Sequence, residues 1–259
     1  MPGEPIIRVE NFTAAYDGNV IIDNVSFEVR RGEVFVILGG SGSGKSTLLK
    51  HMIGLYPPAS GKIILDGDDI TAADGQDRLR ILQKIGVTYQ SGALFGSLSL
   101  IENVRLPLEE FTALPGDAMN LIARMKLKLV GLTGSEDRMP SELSGGMQKR
   151  AAIARAMALD PMILFLDEPS AGLDPITSAE LDQTILQLKR SLKITFVVVT
   201  HELASIFTIA DRVIMLDGRV KKIVETGKPQ ELRDHSDNAW VRQFFNRQAE
   251  AAETPAAKK

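Results

Sequence analysis

Cysteine is absent from the 259 residues, and histidine, tyrosine and tryptophan number three, three and one. The missing thiols remove disulfides, thiol catalysis and cysteine-ligated metal together, and suit a reducing compartment. Three histidines leave little from which to build a His-rich metal site. No stretch approaches the roughly 18 consecutive apolar residues of a membrane span. Met1-Pro2-Gly3-Glu4-Pro5 lacks the basic start and apolar run of an export signal, so a cytoplasmic chain is expected. Lys plus Arg total 30 against 33 Asp plus Glu, a formal net charge of −3 and a pI of about 5.7. That balance gives no chain-wide basic footprint, and nucleic acid is not expected as a partner. No internal repeat is visible.

What is present is ordinary globular composition, 44% hydrophobic and 24% charged, with mean hydropathy near zero. The length allows one or two domains and a full core, and one large lobed domain is expected. Residues 6–10 and 20–29 read as strands separated by Asp17-Gly18-Asn19, which predicts an antiparallel edge layer. Runs at 34–38, 162–166, 195–199 and 213–216 are almost continuously apolar and rich in Val and Ile, as parallel strands buried on both faces require. Over 178–192, Leu181, Ile185, Leu188 and Leu192 recur at three and four residues, the stripe of a helix packed on a core. Residues 91–160 lack strand runs and read as helices broken at Pro107, Pro115 and Gly131 to Gly134, an inserted helical lobe. A short amphipathic stretch at 239–245 precedes a tail rich in Ala, Glu, Pro and Lys.

Gly39-Gly40-Ser41-Gly42-Ser43-Gly44-Lys45-Ser46 follows the run 34–38 and precedes an apolar helix pattern from Thr47, the context of a phosphate-binding P-loop. Glycines let successive N–H groups turn onto phosphates, Lys45 reaches the outer phosphates, and Ser46 can ligate Mg²⁺. The run 162–166 ends in Asp167-Glu168, whose side chains alternate in direction and so take different roles. Beside a P-loop, Asp167 holds Mg²⁺ through water and Glu168 polarises the attacking water. Leu143-Ser144-Gly145-Gly146-Met147-Gln148 stands before a helix pattern at 149–158 with Ser144 as N-cap, either a second anion site or simply a capped helix.

In this order the motifs resemble the ATP-binding subunit of ABC transporters from about Ile6 to Gly227, with Leu143 to Met147 as the family signature. The resemblance implies an α/β P-loop ATPase with a RecA-like parallel sheet, an N-terminal antiparallel layer and a helical lobe at about 91–160. The domain would run over 1–246, with a flexible tail at 247–259. It implies that ATP and Mg²⁺ are bound, with Tyr16 stacking on adenine, Thr47 closing the phosphate loop, and Gln90 linking Mg²⁺ to a permease. Asp174 would be the D-loop contact, and His201, 33 residues after Glu168 and just past an apolar run, the switch histidine. Two copies would pack head to tail, each ATP lying between one P-loop and the other copy's Ser144, Gly145 and Gly146. Leu94, Phe95, Leu98 and Leu106 would help contact the permease or pack the lobe.

Gln90-Ser91-Gly92-Ala93-Leu94-Phe95, the segment from Pro140 to Met147, and Gly172-Leu173-Asp174-Pro175-Ile176 are similar to the ATPases of MCE-associated, Mla-type phospholipid transporters. That branch implies a homodimer on a permease dimer at the cytoplasmic face of the inner membrane, a periplasmic MCE-domain protein and a small STAS-type regulator. The stretch at 241–245 would clasp the neighbouring subunit or pack on its own domain. An importer ATPase for amino acids or metals shares the same cassette, and a non-transport ABC protein is the reading from another class.

Overall fold

The computed structural model describes residues 5–247. Strands β1 (Pro5–Tyr16) and β2 (Asn19–Arg30) meet at Asp17 and Gly18, both at positive φ (48° and 78°), as a tight hairpin turn requires. They pair antiparallel from Tyr16↔Asn19 to Pro5↔Arg30 and, with β4 (Ser60–Leu65) and β5 (Asp68–Asp69), form a sheet of order β2-β1-β4-β5. This is the expected antiparallel layer, with β1 running six residues further than residues 6–10.

The second sheet contains β3 (Val34–Gly39), β6 (Ile85–Thr88), β7 (Ile163–Asp167), β8 (Thr195–Val199), β9 (Arg212–Asp217) and β10 (Lys222–Gly227). Its order is β10-β9-β3-β8-β7-β6, parallel except where β10 pairs with β9. All four expected runs are here, and every residue of β3 is buried. Alternation divides that strand between two cores. Phe35 and Ile37 join Phe12, Phe165 and Leu216 between the sheets, while Val34, Val36 and Leu38 face a second cluster that reaches into the helices.

β6 was not anticipated: Ile85-Gly86-Val87-Thr88 is short and contains glycine. The glycine is required by packing, since a Cβ on Gly86 would stand 2.1 Å from the Ala156 carbonyl oxygen of the helix laid across it.

The lobe consists of α3 (Leu100–Phe111), α4 (Gly116–Leu129) and α5 (Gly145–Ala156). Pro107 does not break α3, contrary to expectation; the helix runs through it to Phe111. A proline inside a helix costs about 3 kcal/mol. Here a capping box of Ser99 with Glu102 and burial of Leu100, Ile101, Val104 and Leu108 outweigh it. The other two breaks fall where expected, at Pro115 before α4 and at Gly131 and Gly134, both left-handed.

Of the remaining helices, α1 (Lys45–Met52) follows the P-loop, α2 (Gly75–Leu82) precedes β6, and α6 (Pro175–Leu192) starts three residues early at its cap Asp174 and buries Leu181, Ile185 and Leu188 of the expected stripe, while Leu192, at the helix end, is 42% exposed. After α7 (Leu203–Ile209) and α8 (Pro229–His235), α9 (Ala239–Phe245) matches the amphipathic stretch. Val241 and Phe245 are buried within the chain, the Phe245 ring tilted at 55° to that of Phe207 of α7 with centroids 5.8 Å apart. From residue 248 on, the expected tail lies outside the described residues. No described helix is long and apolar enough to cross a membrane.

One carboxyl is buried with no role in this scaffold's ion pairs. Asp182 of α6 lies 5% exposed against α7, beside Ser178 and Ser205, whose hydroxyls are 3.4 Å apart. Burial pushes its pKa from 3.8 up to about 6, against the Ser205 hydroxyl bond and with Glu202 adding to the rise. The folded chain thus holds this proton more tightly than the unfolded chain. Stability is intact below about pH 4, falls as the carboxyl is forced to ionise toward pH 6, and stays lower by about 3 kcal/mol above that. Asp182→Asn removes the ionisation, so denaturant midpoints place it above the parent at pH 8, the gap closing toward pH 4; an equal gap at both pH values contradicts the assignment.

Candidate active site

At the C-terminal edge of β3 the chain leaves the sheet through Gly39, φ 152°. A Cβ there would stand 2.3 Å from the Leu216 carbonyl oxygen and 2.4 Å from Ser43 Oγ, so only glycine fits. Gly42 and Gly44 are left-handed, and Gly44 caps α1 without any side-chain bond, leaving the first amides of the helix free. Lys45 folds back over this loop, its Nζ donating to the carbonyls of Gly39 (2.8 Å) and Gly40 (2.9 Å). Burial lowers its pKa, and the nearby Glu168 and Asp167 counter that. Ser43 Oγ is buried without a partner, while Ser41 and Ser46 are exposed, Ser46 in the first turn of α1. Free helix amides, an amine and an orphaned hydroxyl around a loop without side-chain bulk make a cradle for polyphosphate.

The carboxylates lie one strand further, because β7 and β3 both flank β8. Asp167 ends β7, and burial followed by the adjacent Glu168 raises its pKa, with Lys50, Lys45 and Lys149 opposing. Glu168 is left-handed at φ 47°, an uncommon state for a non-glycine residue, tied by its N–H to the Val199 carbonyl at 2.8 Å. Its Oε1 is 2.9 Å from Nδ1 of His201, just beyond β8, so the three residues form one cluster at the ends of neighbouring strands. A cleft of about 590 Å³ opens here, lined by Gln90, Asp167 and Gly172 among others. Among the described residues no three His, Asp or Glu side chains gather to cage a metal alone. Ser46, Asp167 and Gln90 carry oxygen donors of the kind that suits Mg²⁺.

Tyr16, at the end of β1, stands beside Thr47 in the first turn of α1. It is 39% exposed and 6.1 Å from both Tyr56 and His51, whose Nδ1 bonds the Thr47 carbonyl at 2.8 Å. This gives an aromatic surface next to the phosphate cradle. Tyr56 and His51 had not been singled out in the sequence, since only the fold brings them to Tyr16.

The signature segment opens α5. Ser144 caps α5, accepting from Met147 N at 3.3 Å. Gly145 and Gly146 rest on Leu173 and Thr177, and a Cβ on Gly146 would meet Thr177 Cγ2 at 2.2 Å. Asp174, the expected D-loop residue, also caps α6, accepting from Ile176 N (3.0 Å), Thr177 N (3.1 Å) and Thr177 Oγ1 (2.5 Å). Two residues not anticipated tie the lobe to the Gln90 segment. Lys149 donates to the Gln90 carbonyl, and Arg155 to Ala93 (2.7 Å) and Gly92 (3.1 Å). Burial lowers the pKa of Lys149, opposed by Glu168 and Asp167, so it belongs to the field of the site. Nothing in the sequence separates these cations from solvated helix charges.

Comparison with known proteins agrees with this geometry. The ABC transporter family model matches residues 22–171. The probable ribonucleotide transport ATP-binding protein mkl of Mycobacterium leprae is 42% identical over 246 residues, 95% of this chain and 70% of that protein. The intermembrane phospholipid transport system ATP-binding protein MlaF of Escherichia coli K12 is 42% identical over 226 residues, 87% of this chain and 83% of that one. The dimeric post-hydrolysis ATP-binding cassette MJ0796, solved with ADP and Pi, superposes with a TM-score of 0.77 at 32% identity, covering 86% of this chain and 98% of that one. With the P-loop, carboxylate pair and signature helix in place, the chain belongs to the ABC transporter family as an ATP-binding, ATP-hydrolysing subunit.

Proposed function

We propose that this ATPase powers phospholipid movement across a Gram-negative envelope, maintaining outer-membrane lipid asymmetry, from the cytoplasmic face of the inner membrane. The supporting observation is the likeness to MlaF over 87% of the chain. The equal identity to mkl, named for ribonucleotide transport, supports a second reading in which the cassette serves another cargo. The cassette chemistry is the same in either case.

In the proposed mechanism Tyr16 stacks on adenine and the Gly40 to Thr47 amides wrap the phosphates. Lys45 exchanges its two carbonyl partners for phosphate oxygens, a swap favoured because the amine is already half-desolvated. Ser46, Asp167 and Gln90 would hold Mg²⁺, which neutralises charge on the β- and γ-phosphates when bound. Glu168 takes a proton from the attacking water, and His201 orients that carboxylate through its 2.9 Å bond. Each P-loop is completed by Ser144, Gly145 and Gly146 of a second copy, and by the D-loop around Asp174, so ATP closes the dimer and hydrolysis reopens it.

The permease dimer would dock beside Gln90. Of the four apolar candidates Phe95 is the exposed one at 56%, while Leu94, Leu98 and Leu106 are half-buried. Asn103, fully buried, holds this loop: its Oδ1 accepts from Phe95 N, and its Nδ2 donates to the carbonyls of Phe95, Leu98 and Ser99. An MCE-domain protein and a STAS-type regulator complete the proposed assembly.

Two experiments test this reading. Glu168→Gln is expected to bind ATP and accumulate as a closed dimer while hydrolysis drops by about 10²- to 10⁴-fold; hydrolysis at the parental rate removes Glu168 as the base. A photo-crosslinker at Phe95, followed by purification from solubilised membranes and mass spectrometry, is expected to yield a multispanning permease with an MCE-domain protein and phospholipid. Recovery of a permease with a solute-binding protein instead overturns the lipid cargo and leaves the ATPase chemistry standing.

A further inference from the structure

The outer face of the P-loop is not open to solvent along its whole length. The β9–β10 turn lies against it: a Cβ on Gly218 would stand 3.3 Å from Ser43 Cα and 3.4 Å from the Gly42 carbonyl oxygen. Next to that turn α9 brings Trp240, the single tryptophan of the chain, to the loop itself. Its Cζ2 lies 3.9 Å from where a Gly40 Cβ would be. The ring is set by three independent ties. Asn238 caps α9 and accepts from Trp240 N at 3.0 Å. Val241 and Phe245 anchor the helix in the core. The Arg219 guanidinium lies over the indole at 5.3 Å, itself held by the buried Asp217 at 2.8 Å. A cleft of about 420 Å³ runs between loop, turn and indole.

Nothing in phosphate recognition calls for an aromatic ring at this place. Yet the loop it faces is the most conformationally free stretch of the site, glycine at 39, 40, 42 and 44. Ordering such a loop around phosphate costs backbone entropy, and a rigid wall behind Gly40 lowers that cost by limiting the conformations open to the unliganded loop. We propose that Trp240, stacked with Arg219, is a positioning residue for ATP. It braces the P-loop from outside, so the C-terminal helix sets nucleotide affinity without touching the nucleotide. The inference concerns ATP binding alone and stands whichever cargo the transporter carries.

Calorimetric titration of the full chain with ATP tests it. Trp240→Ala is expected to weaken ATP binding about three- to tenfold, and Trp240→Phe, which keeps a ring facing Gly40, to stay within about twofold of the parent. Hydrolysis at saturating ATP in the assembled transporter is expected to change less than about twofold, since no reacting group has moved. The unaltered protein gives a second readout: its only tryptophan should shift in emission as ATP fills the site. Parental affinity in Trp240→Ala, or tryptophan emission unchanged at ATP concentrations that calorimetry shows to be saturating, overturns the proposal.

Discussion

Every part of the site depends on one steric constraint, the passage of the backbone at Gly39 between the Leu216 carbonyl and Ser43. The strand that delivers this turn is buried on both faces between β8 and β9, so its end is fixed to the sheet from either side. A methyl group at residue 39 has no space, and the turn could not put the start of α1 and the amine of Lys45 where they are. The parallel order places the ends of β7 and β8 beside that turn, which is why Asp167, Glu168 and His201 gather there although they are far from the P-loop in sequence.

The chemistry then follows from charge. Two adjacent carboxylates at the end of a buried strand are costly together, and the raised pKa of Asp167 records it. Three amines, on Lys45, Lys50 and Lys149, offset part of that cost. Lys45 instead occupies backbone carbonyls, an arrangement that polyphosphate is well suited to displace. The lobe enters the same balance through Lys149, which holds the Gln90 segment while sensing Asp167 and Glu168.

Continuous apolar runs revealed the buried strands and glycine spacing the P-loop, because both patterns arise from local requirements that one stretch of chain must meet alone. The break expected at Pro107 did not occur, since tertiary burial of Leu100, Val104 and Leu108 overrides a local penalty. β6 was missed for the converse reason: Gly86 looks like a strand breaker and is there for the Ala156 backbone that crosses it. In the site, Gly39 to Ser46, Asp167, Glu168 and His201 were legible, and the fold brings them together. Lys149, Arg155, Asn103 and Trp240 were not. Lys149, Arg155 and Trp240 act on segments distant in sequence, and Asn103 on the loop just before its own helix, through contacts that composition and periodicity do not encode.

The central claim is that the ATP site is shared, the Ser144, Gly145 and Gly146 of one copy completing the P-loop of another. Co-assembly of Lys45→Ala subunits with Ser144→Arg subunits on the permease, followed by ATPase assay, tests it most directly. Each variant alone should be inactive, and the mixture should recover hydrolysis, because one of the two sites in a mixed dimer then joins an intact P-loop to an intact signature helix. A mixture as inactive as its parents would show that the site is complete within a single chain.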